Sequence, residues 1–201
     1  MTEIKSALEL ALERTQDIQG DKETLKANEL RNKGKLLASA YLNPHGNHEE
    51  KDPLSRLKSY SGKELGWVKE GFFRVMVANI NLPVDADFVD KVKRVEDGLH
   101  AVLREKRQIS YMFQQVREFF EQYLGSRDQM EESVKQQYEP QMREKERLLA
   151  QQMGAEIHLS PESDPEFVSL LAKNFSRLEE QYNQALQQVK DQLKQLFDAT
   201  Q

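Results

Sequence analysis

The sequence contains no cysteine and few residues that interrupt helices. Its 201 residues include nine glycines and six prolines. Without cysteine, the chain cannot form a disulfide framework, a thiolate zinc site, an iron–sulfur cluster or a thiol nucleophile. So few glycines and prolines leave little room for the tight turns that sandwiches, barrels and hairpin-rich folds need. These absences exclude a disulfide-stapled protein and disfavour an all-β fold.

Long apolar runs are also absent. No stretch approaches the roughly 18 consecutive apolar residues that a membrane-spanning helix needs. The first residues, MTEIK, already carry both charges and do not resemble a secretory signal. We therefore expect a helix-rich chain with no membrane span and a cytoplasmic location.

Charge of one sign is not concentrated anywhere in the chain. Lysine and arginine total 29, aspartate and glutamate total 34, and the formal net charge is −5. The densest basic stretches, 91–94 and 104–107, have acidic residues within or beside them. Ion pairs on a solvated helix face explain this mixture, whereas a nucleic-acid-binding protein normally has a basic face or arm. We expect no nucleic-acid partner.

The strongest pattern is a seven-residue apolar repeat that begins after Pro83. The apolar residues recur at steps of four and three, and the charged residues Lys106 and Arg127 occupy the skipped positions. Such a repeat predicts a coiled-coil or bundle helix, because it keeps one line of side chains against a partner. The residues of this line, called the heptad seam below, are Phe88, Val92, Val95, Leu99, Val102, Ile109, Phe113, Val116, Phe120 and Tyr123.

Two residues could interrupt this helix. Gly125 and the residues after it are typical of a helix end followed by a new start, but the heptad phase is unchanged across the glycine, which favours continuity with a bend. Pro140 lacks an amide donor and disfavours helical geometry at Glu139. We predict one helix over 85–153 with a kink near Pro140.

The remaining segments are organised around two further helices. The predicted segments are a long helix over 1–42, a polar loop over 43–53, a shorter aromatic-rich helical insert over 54–82, a connection over 154–163 and a C-terminal helix over 164–199. The start of the last helix is marked either by a capping box from Ser163 to Glu166 or by an Asp164 cap followed by proline. In its apolar stripe, Asn174 can fix register or oligomeric state. The prediction is an all-α single domain over 1–201, an elongated antiparallel helical bundle or coiled coil.

The insert contains aromatic and glycine residues whose roles have two interpretations each. Gly62, Gly66 and Gly71 either let another helix approach closely or are tolerated defects in the helix. Five aromatic side chains exceed what the heptad seam needs and belong either to the core or to a groove for a partner. They are Trp67, Phe72, Phe73, Tyr111 and Phe119, of which we take the first three as the candidate partner groove.

Residues with metal-binding or catalytic chemistry are sparse. His45, His48, Glu49 and Glu50 have ligand-like spacing, but a glycine- and proline-containing loop offers them no rigid scaffold. His100 follows Asp97 in an Asp-x-x-His arrangement that lacks the second copy a di-iron bundle requires. No phosphate-binding loop and no nucleophile elbow occur. We assign no catalytic, cofactor-binding or metal-binding residue.

The function predicted from these patterns is protein–protein interaction. The first hypothesis is a non-enzymatic scaffold, stalk or adaptor that associates with itself through the heptad seam to form a homo-oligomer. The second is a helical binding chaperone for an assembly or secretion system. The third is an enzyme built on a metal-bearing helical bundle. The sequence does not identify the protein partner.

Overall fold

A computed structural model describes residues 7–46, 52–156 and 158–200, with side chains of the first helix described from Lys22 onward. Within these ranges the chain is helical and contains no strand. The elements are α1 (Ala7–Leu42), α2 (Pro53–Lys58), α3 (Gly62–Ala78), α4 (Phe88–Val102), α5 (Lys106–Met153), a single 3-10 turn (Pro161–Ser163) and α6 (Pro165–Asp198). The predicted all-α class is confirmed. The first six residues of the predicted N-terminal helix, and His48, Glu49 and Glu50 of the predicted loop, lie outside the described residues.

The chain divides into two compact units. Among the described residues, unit 1 combines the chain up to Ile80 with Lys93–Ile109 and the segment from Leu193 onward. Unit 2 combines Asn81–Val92 with Ser110–Gln192. No helix in the described part of the chain is both long and apolar enough to cross a bilayer.

In unit 1, α1 and α3 cross with their backbones in direct contact. A Cβ atom added at Gly34 of α1 would lie closer than 3.0 Å to backbone atoms of Val68 and Phe72. A Cβ at Gly71 of α3 would clash in the same way with the backbone of Arg31. The close-approach interpretation therefore holds for Gly71.

The core of unit 1 is built around this crossing. Phe73 of α3 stacks on Phe197 near the end of α6, with ring centroids 4.3 Å apart. The Arg94 guanidinium donates to the Leu42 carbonyl at 2.9 Å, which satisfies one of the unpaired carbonyls at the end of α1. The largest fully buried side chains of the unit are Leu57, Val68, Phe72, Met76, Leu99, Val102, Ile109 and Leu193.

The single helix predicted over 85–153 is interrupted in the structure. α4 ends at Val102, and α5 begins only at Lys106, whose amide donates to the Arg104 carbonyl in a tight turn. Residues 104–108 are all exposed, whereas Val102 and Ile109 are fully buried. A continuous helix would hold Lys106 at a seam position, and burying an unpaired ammonium is costly. The interruption leaves the charged run in water while both flanking apolar residues stay buried.

In unit 2, α5 is continuous across both predicted interruptions. Gly125 lies within the helix, as the unchanged heptad phase predicted, and Pro140 lies inside it as well. Side chains of α5 contact side chains of α6 at two levels. Tyr138 packs on Phe167, near the start of α6, with centroids 5.5 Å apart, and Tyr123 packs on Tyr182, near the middle of α6, at 5.1 Å. These aromatic pairs hold the two helices together along their length.

The start of α6 is fixed by a cap and by a charged cluster. Of the two predicted start signals, the structure has the Asp164 cap: Asp164 Oδ1 accepts from the Glu166 amide at 3.0 Å, and Pro165 is the first helical residue. Lys145 Nζ of α5 lies 2.6 Å from Asp164 Oδ2 and 2.7 Å from Glu166 Oε2. It also donates to the Tyr138 hydroxyl at 2.9 Å. Together these bonds attach the first turn of α6 to α5.

The hydrogen bonds from Lys145 make this attachment dependent on pH. They hold the pKa of Asp164 and of Glu166 below the usual carboxyl range, and they raise the pKa of Lys145. A carboxyl whose folded-state pKa is depressed stabilises the fold above its unfolded pKa, and this stabilisation is lost as the pH falls through the folded value.

We therefore expect the free energy of unfolding of the Lys145→Gln variant to depend less on pH than that of the wild type. The free energy of unfolding of the wild type should fall more steeply between about pH 5 and pH 2 than that of the variant, because the variant loses most of the pKa depression. Urea denaturation at several pH values measures both curves. A difference between the two proteins that stays constant over this range would contradict the assignment.

Candidate interaction surface

The heptad seam is buried within the chain. All ten of its residues are below one tenth exposed, and Leu99, Ile109 and Phe113 are fully inaccessible. The seam is also divided between the units, since Val95, Leu99, Val102 and Ile109 belong to unit 1 and the other six residues belong to unit 2. A second chain would have to displace the chain's own helices to contact these side chains. In the single chain they are core residues.

Asn174 is also satisfied within its own helix. The residue is half-buried, and its side-chain amide donates to the Leu170 carbonyl one turn earlier at 2.8 Å. Because the bond stays within α6, it does not specify a partner helix or a register.

The three candidate groove residues of the insert lie in different environments. Phe72 and Phe73 are buried in unit 1, where Phe72 neighbours Tyr41 at a centroid distance of 6.1 Å. Trp67 is half-buried and lines an open cleft at the beginning of α3. Two of the three therefore belong to the core, and only Trp67 presents surface to solvent.

The histidines are not assembled into a metal centre in the described part of the chain. No group of three or more histidine, cysteine, aspartate or glutamate side chains lies close enough there to hold an ion. His158 is exposed, and its Nδ1 atom lies 3.9 Å from Glu146 Oε1. His100 is half-buried in α4.

An open groove of about 330 Å³ runs between α5 and α6 in unit 2. We call it the α5–α6 groove. Its floor is apolar, with Met112 and Val116 buried and Phe119 and Val189 half-buried. Its lining residues are Met112, Gln115, Val116, Glu118, Phe119 and Gln122 of α5, and Ala185, Val189 and Gln192 of α6.

Both walls of the α5–α6 groove have helical spacing. On α5, Met112, Gln115, Phe119 and Gln122 follow at steps of three, four and three, and on α6 the wall residues follow at steps of four and three. Residues at these steps form one line along a helix. Two lines of this kind, side by side, are typical of grooves that receive the apolar face of a helix.

The rim of the α5–α6 groove is polar and nearly uncharged. Gln115, Gln122 and Gln192 are exposed at its edges, and among the described residues that line it Glu118 is the only ionisable one. The Gln115 side-chain amide donates to the hydroxyl of the exposed Tyr111 at 3.3 Å, so the Tyr111 side chain lies beside the groove. Phe119 contacts Tyr182 of α6 with centroids 4.9 Å apart. Of the five aromatic candidates, Phe119 therefore lines an accessible concave surface, and Tyr111 is bonded to a residue of its rim.

Comparison with known proteins gives one family. Residues 54–195 match a family of unknown function, DUF6657, and the match extends from α2 through most of α6. No curated protein and no solved structure matches the chain.

Proposed function

The chain belongs to the family of unknown function DUF6657, and we propose that it is a non-enzymatic helical interaction protein, a scaffold or stalk that associates with itself through the α5–α6 groove. In this proposal the α5–α6 pair of one copy packs on the same pair of a second copy as a helical bundle. The observation that carries the proposal is a groove with helical spacing on both walls and an accessible apolar floor.

The burial of the heptad seam supports the choice of this groove for the proposed self-association. Since the seam residues are already covered by the chain's own helices, a second copy needs another apolar surface. Phe119 and Val189 are only half-buried, and Ala185 is exposed beside them. Covering these side chains removes apolar area from water, which is the main driving force for association between helices.

The chemistry of the rim favours a second copy over an unrelated partner. In a two-fold symmetric interface, the same surface patch occurs on both copies. Each side chain of the patch therefore contacts either the same residue of the other copy or another residue of that patch. Glutamine amides both donate and accept hydrogen bonds and are therefore complementary to themselves. A rim with several lysines or several glutamates would instead repel its copy.

A matched pair of substitutions on α6 tests the proposal. Ala185 lies exposed in the α5–α6 groove, whereas Ala172 is exposed on the same helix but does not line the groove. We expect Ala185→Glu to weaken self-association at least about tenfold, because a carboxylate would be buried without a partner. Ala172→Glu should associate like the wild type. Sedimentation velocity over a concentration series measures both.

Two results would contradict the proposed interface. One is unchanged association of the Ala185→Glu protein, and the other is an equal loss in both variants. Circular dichroism spectra of the variants provide the folding control, since neither alanine is buried.

A client-binding chaperone is the second candidate function, and the composition of the groove floor favours it. Phe119 is half-buried and accessible in the groove, and Met112, which lines the groove but is buried, can repack around partners of different shape. In that case the wild type is monomeric, and the groove receives an amphipathic helix of the client. The Ala185→Glu substitution would then reduce client binding without changing the molar mass.

A further inference from the structure

A second concavity lies in unit 1, beside the beginning of α3. It encloses about 700 Å³ and is lined by residues of α1 and α3, by Arg104 in the turn after α4 and by Thr200. We call it the α3 cleft. Apart from its own helix and chain neighbours, no atom of the described residues lies within 4 Å of where the Cβ of a side chain at Gly62 would be, so this part of the cleft wall is open.

The acidic residues of the α3 cleft are already neutralised. Glu70 Oε2 lies 2.6 Å from Arg31 Nε, and Glu70 Oε1 lies 2.5 Å from Arg74 Nη2. Glu23 Oε1 lies 3.2 Å from Lys63 Nζ. Both carboxylates therefore have cationic partners.

Two cations of the α3 cleft lack such a partner. Across the described ranges, the side chains of Lys69 and Arg104 form no ion pair and no hydrogen bond, although both line the cleft. Since the carboxylates beside them are neutralised, the described lining of the cleft retains positive charge. An ammonium and a guanidinium are the side chains that most often bind phosphate and carboxylate groups.

Trp67 places an aromatic surface in the same cleft. The residue is half-buried and lines the cleft together with Leu65. An indole ring offers a flat apolar face and an N–H donor. Ligand sites typically combine such apolar surface with a few charged groups that orient the ligand.

We propose that the α3 cleft binds a small anionic molecule that carries an apolar or aromatic part. Its phosphate or carboxylate group contacts Lys69 and Arg104, and its apolar part lies against Trp67 and Leu65. This site is in unit 1 and does not depend on the proposed self-association of the α5–α6 groove in unit 2.

The tryptophan provides a direct readout of binding. Trp67 is the single tryptophan of the chain, so its fluorescence emission reports on the cleft alone. Titration of the full-length protein with phenyl phosphate and with benzoate tests the phosphate and carboxylate chemistries separately, and phenol is the uncharged control. We expect a saturable change in emission with at least one anion and none with phenol at the same concentration.

Substitution of the two cations tests the site. We expect Lys69→Gln combined with Arg104→Gln to weaken binding of the anion at least about tenfold, because each charged hydrogen bond contributes more than a neutral one. Lys173→Gln, on an exposed part of α6 outside the cleft, should bind like the wild type. The proposal is overturned if neither anion changes the emission saturably, or if the double variant binds as tightly as the wild type.

Discussion

Replacing Gly71 with alanine should destabilise the protein by about 3 kcal/mol, although the same change normally strengthens a helix. Alanine in a helix interior is favoured over glycine by about 1 kcal/mol, so propensity alone predicts a gain. The new methyl group would occupy the space of the Arg31 backbone on α1. Because the obstacle is backbone and not a flexible side chain, the helices must separate, and overpacking of this kind costs about 1–3 kcal/mol or more.

Gly125 provides the control for this prediction. It lies within α5, and outside its own helix no atom in the described part of the chain lies within 4 Å of where its Cβ would be. Gly125→Ala should therefore stabilise the protein by about 1 kcal/mol. Urea denaturation of both variants measures the two effects. If Gly71→Ala stabilises the protein as much as Gly125→Ala does, then α1 and α3 do not cross at the glycines.

Truncating Phe167 to alanine should cost about 3–5 kcal/mol. The ring is almost fully buried in a cluster with Val134, Tyr138 and Met142, and it lies in the first turn of α6. Its removal leaves a cavity that the helices cannot fill without separating, and this cost adds to the lost burial. The large effect follows from the position of Phe167, which links the start of α6 to α5.

The neighbouring residue is a matched control for this truncation. Val168 is next in sequence but about half exposed, so Val168→Ala should change the free energy of unfolding by less than about 1 kcal/mol. The comparison uses the midpoint and slope of urea denaturation for each protein. Equal losses in the two variants would show that the cluster around Phe167 is not packed as described.

The heptad pattern predicted the buried side chains of α4 and α5 but not the interruption between them. Leu103, Arg104, Glu105 and Lys106 are all residues with good helix propensity, so nothing local indicates an end. The interruption depends on tertiary packing, because Lys106 would occupy a buried position in a continuous helix. In contrast, Gly125 and Pro140 looked like interruptions, yet the packing of α5 on α6 maintains the helix through both.

The candidate site could be predicted only in part. Phe119 and Tyr111 are aromatic residues that the heptad seam does not need, but Phe72 and Phe73 belong to the same set and lie in the core. Amino-acid composition cannot distinguish an aromatic residue of the core from one that lines a groove, because the two side chains have the same chemistry. A second line of residues at steps of three, four and three through Met112 and Phe119 was present in the sequence and could have indicated the groove.

The molar mass of the wild-type protein in solution distinguishes a self-associating chain from a monomeric one. Multi-angle light scattering over a wide concentration range should give a mass at least twice the 23.4 kDa of one chain, with Ala185→Glu shifted toward the single-chain value. A mass that stays at one chain for the wild type at every concentration would contradict self-association through the α5–α6 groove.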